Sequence, residues 1–349
     1  EFVAFLQAAD ALGAEIAARR ILEKLSQPFV VDAVNFSLGC SIGVAMYPAD
    51  ALTLDALIQC ADTAMFRVKE RGRGNFRFYQ PQMNVDLLSR VRMDHAMRQA
   101  MEQGLFCLHY QPQISLCDGR LQGVEALIRW NDPELGSVSP ATFIPLAEES
   151  GFIITIGNWV LQEAVRQALA WQHSGRPIVV SINVSALQFQ QSDFVDRVVN
   201  AVGDAGLDPH LLELELTESI LIKDVHETLS RLHALARLGV SLAIDDFGTG
   251  YSSLAYLKKF PISKLKIDRA FVTGLPGDES DKAIVSATIA MARALKLAVV
   301  AEGVETAAQR DYLQSLHCEA FQGFLCSPGL PAIALERLQA TLPPGTKPP

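Results

Sequence analysis

No stretch of this sequence is long and apolar enough to cross a bilayer: apolar runs such as Ile178 to Ile182 and Leu297 to Ala301 fall far short of the roughly 20 residues a membrane helix needs. Cysteine pairs at metal or redox spacing are missing too. The six cysteines (Cys40, Cys60, Cys107, Cys117, Cys318, Cys326) form no C-x-x-C, which reads as free thiols in a reducing compartment, mostly filling core, in a cytoplasmic protein. An excess of positive charge is absent as well. With 39 Asp and Glu against 30 Lys and Arg, net −9, the general field repels polyanions, so duplex nucleic acid is not an expected partner. A small anionic nucleotide can bind only where local cations or bound metals reverse that field. No basic, apolar, small-residue leader opens the chain, which starts at Glu1 without an initiator Met. It is therefore expected to be a piece of a longer protein whose upstream part could carry a membrane anchor or a sensor.

What is present suits a soluble globular chain: 349 residues, 49% hydrophobic and 20% charged, enough for two domains. Apolar spacing predicts a helix over 3–25, a strand within Asn35 to Tyr47, a helix over Leu54 to Lys69 ended by the glycines of Arg71-Gly72-Arg73-Gly74, and a strand over Phe76 to Tyr79. Gln80-Pro81-Gln82 is a seam, and Asp86 to Gln103 reads as a connecting helix. From there strands near 106–114, 121–129, 178–184, 211–216, 240–245, 263–267, 297–301 and 318–321 alternate with helical stretches. Eight such units over about 250 residues predict an α/β fold, a (β/α)8 barrel. The first two strands are joined by only a few residues around Cys117-Asp118-Gly119-Arg120, too short for a parallel crossover, so they should pair antiparallel. The expected division is 1–80 first domain, 81–92 linker and start of the connecting helix, 93–340 barrel, and 341–349 a disordered, Pro-rich tail.

Polar residues recur at the C-terminal ends of these strands, where barrels keep their sites: Gln111, Glu125, Asn183, Glu215, Asp245 with Asp246, Lys266, Glu302 and Gln322. Taken singly, each is a solvated strand end or a helix cap. Together they would crowd five carboxylates and one amide oxygen into a common mouth with no His or Cys, and such anions cannot all stay ionised unassisted. All-oxygen ligation favours hard ions such as Mg2+ or Mn2+ over zinc. The adjacent Asp245-Asp246 pair suits two ions about 3.5–4 Å apart, because one carboxylate can bridge while its neighbour holds the second ion. Lys266 is placed to orient a water and offset developing charge; Arg129 shares a face with Glu125 and can clamp a phosphate. Phe247, Gly248, Thr249 and Gly250 begin a small-residue loop that serves as a lid or simply as a tight turn, and Glu218 could accept hydrogen bonds from it.

These residues resemble a known family. Glu125-Ala126-Leu127-Ile128-Arg129-Trp130 is similar to the signature of EAL domains. Asn183 within Ser181-Ile182-Asn183-Val184-Ser185, Glu215-Leu216-Thr217-Glu218-Ser219, the Asp245 loop, Lys266-Ile267-Asp268, Glu302-Gly303-Val304-Glu305-Thr306 and Gln322-Gly323 follow in family order. The resemblance covers roughly residues 90 to 340. It implies that Glu125, Asn183, Glu215 and Asp245 bind one metal, that Asp245, Asp246 and Glu302 bind the other, and that Lys266 contacts the attacking water. It further implies that Gln111, Arg129 and Gln322 touch substrate, Gln322 and Glu305 belonging to the shell around the site, and that Glu218 supports the lid loop. The implied reaction is hydrolysis of one phosphodiester of cyclic di-GMP to linear pGpG, in a homodimer formed through the barrel. The first domain resembles the latter part of a GGDEF nucleotide cyclase: Glu1-Phe2, Ser41-Ile42-Gly43-Val44-Ala45 and Ala61-Asp62-Thr63-Ala64-Met65-Phe66 fit its later segments. There Lys69 and Arg73 would contact phosphates of GTP, although both also read as a solvated helix end. The strands and carboxylates that precede these segments in the family are not in this sequence, so no cyclase activity is expected of it; GTP could bind an intact GGDEF domain in the parent protein. Two other readings remain: a receptor that binds cyclic di-GMP without cutting it and, resemblance aside, an acid-rich barrel acting on a sugar phosphate.

Overall fold

The computed structural model describes residues 2–7, 9–31, 34–36, 38–70, 74–222, 224–248 and 257–343. Its contacts divide the chain into two compact units, Glu1–Ala96 and Met97–Pro349. In the first unit α1 (Ala11–Leu25) begins only at Ala11, because the Asp10 carboxylate caps it by accepting the Gly13 N–H at 2.7 Å. This corrects the helix expected from residue 3, whose apolar Val3 and Leu6 are exposed instead. The strand expected over 35–47 is likewise two strands. β1 (Phe29–Val31) pairs antiparallel with β2 (Val34–Phe36), and β3 (Ile42–Val44) pairs parallel with β4 (Phe76–Phe78). Between the latter two, α2 (Leu54–Glu70) buries Cys60, Ala64 and Val68. It lies so close to β3 that a Cβ on Gly43 would sit 1.8 Å from the Ala61 carbonyl oxygen, which only a glycine permits. α3 (Gln82–Glu102) then carries the chain toward the second unit.

The second unit is a closed barrel of eight strands: β5 (Phe106–Ser115), β6 (Leu121–Asp132), β8 (Val179–Val184), β9 (Leu212–Thr217), β10 (Ser241–Phe247), β11 (Lys264–Ile267), β12 (Ala298–Ala301) and β13 (Ala320–Gln322). From β6 to β13 neighbours run parallel, while β5 runs antiparallel to both β6 and β13. The short β5–β6 connection therefore has the consequence expected of it. A short strand not read from the sequence, β7 (Gly136–Val138), hangs antiparallel on β6 outside the ring. Helices α4 (Pro140–Ser150), α5 (Ile153–His173), α6 (Ala186–Phe189), α7 (Phe194–Ala205), α8 (Glu218–Ile222), α9 (Val225–Leu238), α10 (Arg269–Val272), α11 (Glu279–Ala294), α12 (Ala307–Ser315) and α13 (Ala332–Gln339) follow in chain order.

The alternation of the strands sorts their side chains into two environments. One set, including Val124, Val180, Ile182, Leu212, Leu214, Leu242, Ile244, Leu265 and Val299, is buried and apolar. The alternate set contains Gln113, Glu125, Ser181, Glu213, Glu215, Asp245, Lys266 and Gln322, also buried. The apolar core thus lies on one face of the sheet and a polar core on the other, whereas most such barrels fill their interior with branched apolar residues. Of the six cysteines, all free, only Cys60 and Cys318 are buried and Cys117 is exposed, so the expected core role holds for two. No described helix is long and apolar enough to cross a membrane. The part of the expected disordered tail over 344–349 lies outside the described residues.

Candidate active site

Because the barrel strands β6 and β8 to β13 run parallel, their C-terminal ends meet at one rim, and the polar residues expected there do converge, except that Gln111 joins them from the middle of β5, which runs antiparallel, and not from a C-terminal strand end. Lys266, fully buried on β11, sits among four carboxylates: Nζ lies 2.5 Å from Glu215 Oε2, 2.6 Å from Glu302 Oε1, 3.2 Å from Asp245 Oδ1 and 3.4 Å from Glu125 Oε2. Donor groups of Asp245, Asp246 and Glu302 lie within 4.8 Å of one another. Asn183 Nδ2 donates to Glu125 Oε1 at 2.6 Å, and Gln322 Nε2 donates to Glu125 Oε2 at 2.6 Å and to Gln111 Oε1 at 2.9 Å. A cavity of about 260 Å³ opens onto this group. Gln111, Glu125, Asn183, Asp245, Glu302 and Gln322 form its floor, and Arg269, Glu305 and Phe324 stand among its other lining residues.

Adjacent strand residues ordinarily point to opposite faces, so the convergence of Asp245 and Asp246 needs a cause. β10 carries an irregularity between Ile244 and Phe247: those residues, three apart, pair with Leu265 and Ile267, two apart. One extra residue is thus inserted, and Asp246 has φ 53°, the left-handed conformation that Asp tolerates better than most side chains. This β-bulge brings both carboxylates to the mouth, as bulges beside active sites do.

Five carboxylates and one ammonium in so small a volume distort one another's protonation. The four acids around Lys266 overcome its burial and hold it charged, well above the usual lysine range. Burial opposes ionisation of Glu125, yet Lys266 and the hydrogen bonds from Gln322 and Asn183 win and keep its pKa low. Burial raises Glu302 to about 8 against the pull of Lys266, with Asp245 and Glu125 adding to the rise. Asp246 rises to about 6, first through burial and then through Asp245 beside it. Glu215, also lifted by burial, keeps a buried oxygen, Oε1, with no hydrogen-bond partner among the described residues. An all-oxygen cluster with surplus negative charge and an unsatisfied buried carboxylate oxygen is the donor set that hard divalent cations take.

Residues 94–329, which include the entire cluster, match the family described as EAL domain. The chain belongs to the EAL domain family. Residues 1–75 match a second family, diguanylate cyclase GGDEF domain. Over 333 residues the chain is 43% identical to the bifunctional diguanylate cyclase/cyclic di-GMP phosphodiesterase MucR of Pseudomonas aeruginosa, spanning 95% of this chain and 49% of MucR. With the cyclic di-GMP phosphodiesterase PdeR of Escherichia coli the identity is 37% over 337 residues, 97% of this chain and 51% of PdeR. The chain thus spans about half the length of these curated relatives. The solved complex of PaMucR phosphodiesterase with c-di-GMP superposes with a TM-score of 0.68 at 48% identity, over 70% of this chain and 99% of that one.

Not every residue singled out in the sequence joins the EAL cluster. Arg129 is half-buried, donates to the Ile128 carbonyl at 2.8 Å and lies outside the lining of the cavity. Glu305 lines the rim, 3.6 Å from Arg269. Glu218 is buried, with neither carboxylate oxygen partnered among the described residues. Of the lid, Phe247 is buried and Gly248 exposed, while Thr249 and Gly250 lie outside the described residues, as does Arg73. Lys69 is exposed near the end of α2. Arg269 and Phe324 are lining residues that the sequence did not single out. Arg269 follows the Lys266-Ile267-Asp268 motif directly and Phe324 follows Gln322-Gly323, so extending each motif by a residue or two would have found them.

Proposed function

We propose that this chain hydrolyses one phosphodiester of cyclic di-GMP to linear pGpG, using two divalent cations, Mg2+ or Mn2+. The observation that carries the reading is the cluster of five carboxylates, four of them around the buried Lys266, with a Glu215 oxygen unpaired among the described residues, in a chain of the EAL family. Its relatives named as cyclic di-GMP phosphodiesterases, and the PaMucR complex with c-di-GMP, support the choice of substrate. Glu125, Asn183, Glu215 and Asp245 would hold one cation, and Asp245, Asp246 and Glu302 the other. Asn183 already spends Nδ2 on Glu125, which leaves its carbonyl oxygen for a cation. When bound, the cations supply Lewis acidity for the phosphoryl oxygen and lower the pKa of a water.

The chain's own residues do the rest. Lys266, a donor only, orients the attacking water by hydrogen bonding and offsets charge that grows on the phosphoryl group. Gln111 and Gln322, in the floor of the cavity, offer amide groups to the substrate, and Arg129 offers a guanidinium for the more distant phosphate. Glu305 at the rim completes the surround, and Glu218, with two buried oxygens unpaired among the described residues, supports the lid that starts at Phe247 and runs through Gly248, Thr249 and Gly250. The reading includes a homodimer through the barrel, on the family resemblance, and a cytoplasmic location, on six free cysteines. In the first domain, Lys69 and Arg73 would serve GTP in the parent protein.

Incubation of the purified chain with cyclic di-GMP and either Mg2+ or Mn2+, followed by chromatography, tests the reading. Linear pGpG is the expected product. Tight binding of cyclic di-GMP without product, with both metals tried, would make the chain a receptor instead.

A further inference from the structure

Beneath the acidic mouth the barrel carries a second polar layer. Gln113, Ser181, Glu213 and Lys264 stand two residues before or after Gln111, Asn183, Glu215 and Lys266 on the same strands, hence on the same face and one step deeper. Lys264 Nζ donates to Glu213 Oε1 at 2.6 Å and to Gln113 Oε1 at 3.3 Å, and Ser181 Oγ donates to the same Glu213 oxygen at 2.7 Å. Gln113 Nε2 in turn donates to Gln322 Oε1 at 3.3 Å, and Gln322 Nε2 donates to Glu125 Oε2 at 2.6 Å. Gln113, Gln322 and Glu213 are all buried, so water does not compete for these groups.

This chain of contacts has a direction. A carboxamide presents one accepting end and one donating end, an ammonium only donates, and a carboxylate only accepts. With Lys264 at one end and Glu125 at the other, both glutamines are held in one sense: each turns its oxygen toward the cation and its NH2 toward the carboxylate. A reversed Gln322 would press its carbonyl oxygen against Glu125. Apolar residues often replace a buried ion pair at no loss of stability, so stability alone does not call for a cation at this depth, whereas orienting Gln113 does.

We propose that Lys264 is a positioning residue: acting through Gln113 and Gln322, it fixes the orientation of the Glu125 carboxylate and so sets the affinity of the mouth for divalent cations. The inference rests on the two-cation reading above. It is tested on the full chain with two variants, each checked for folding by its melting temperature. Lys264→Met/Glu213→Leu removes both charges of the ion pair together, so neither is left buried alone. Gln113→Glu leaves Lys264 an acceptor but replaces the donor that holds Gln322. In both, Mn2+ affinity by titration calorimetry should fall on the order of tenfold or more, the usual cost of losing a group that orients a metal ligand. The kcat for cyclic di-GMP should fall with it while KM stays near the wild-type value. Folded variants that bind Mn2+ as tightly as wild type would overturn the inference, and if the double variant does not fold, Gln113→Glu decides. A wild-type chain that binds Mn2+ and leaves cyclic di-GMP intact would refute the hydrolase reading alone, because affinity rather than turnover is the deciding measurement.

Discussion

Lys266 is the residue on which the site's electrostatics turn. Its ammonium touches four carboxylates and is wholly buried. Lys266→Met should cost the metal-free chain roughly 3–5 kcal/mol, the penalty for stranding buried charges, measured by denaturant unfolding. Added Mn2+ should restore much of that, while turnover stays lower by on the order of 10²–10⁴-fold. Glu125→Ala should abolish turnover by removing a cation ligand, and near-normal rates in that variant would contradict its role. The raised carboxyls give a pH dependence of definite sign. Glu302 moves from 4.5 to about 8 and Asp246 from 3.8 to about 6, so the stability they contribute is full below the ordinary values and is lost as pH rises through the folded ones. Cations replace the protons that leave. The rise in melting temperature produced by Mg2+ should therefore be larger near pH 9 than near pH 5, and equal shifts at both would count against the cluster. The cluster was legible as residues because polar side chains closing otherwise apolar strands are conspicuous. Lys264 and Glu213 were not, because they lie at the beginnings of β11 and β9, the end of a barrel strand opposite to the one that carries the site.

At the scale of the element, the bulge in β10 explains why two consecutive acids serve one mouth. Asp246 holds a left-handed conformation that a glycine adopts without strain. Asp246→Gly should raise the stability of the metal-free chain by about 1 kcal/mol, since it also removes repulsion from Asp245, and should abolish turnover. A thermal melt and a product assay on the same preparation check both halves. Lost stability would place the strain elsewhere. The adjacent pair was visible in the sequence, but the bulge was not, since an inserted residue shows only against the register of a neighbouring strand. All eight barrel strands were legible from their apolar runs, as was the antiparallel first pair from its short connection. β7 escaped notice because Gly136-Ser137-Val138 offers a single apolar side chain and so no run or alternation to detect. The start of α1 was misplaced because Val3 and Leu6 extend its apolar spacing, whereas the Asp10 cap ends it.

The whole molecule has two cores with different contents. The first unit centres on Cys60, Ala64, Tyr79 and Met83 and holds no residue of the cation cluster. Gly43→Ala, which would drive a methyl into the Ala61 carbonyl, should lower the stability of that unit while leaving Mn2+ affinity unchanged, as differential scanning and titration calorimetry on one variant would show. The second unit keeps apolar side chains on one face of its strands and buries charge on the other. That arrangement costs solvation unless counterions share the interior, and the two divalent cations proposed above would be those counterions. Crystals of the full chain grown with Mn2+ and cyclic di-GMP, measured at the manganese absorption edge, test this most directly. Two anomalous peaks should appear, one among Glu125, Asn183, Glu215 and Asp245, the other among Asp245, Asp246 and Glu302. Density for the dinucleotide with no manganese between those carboxylates would contradict the account.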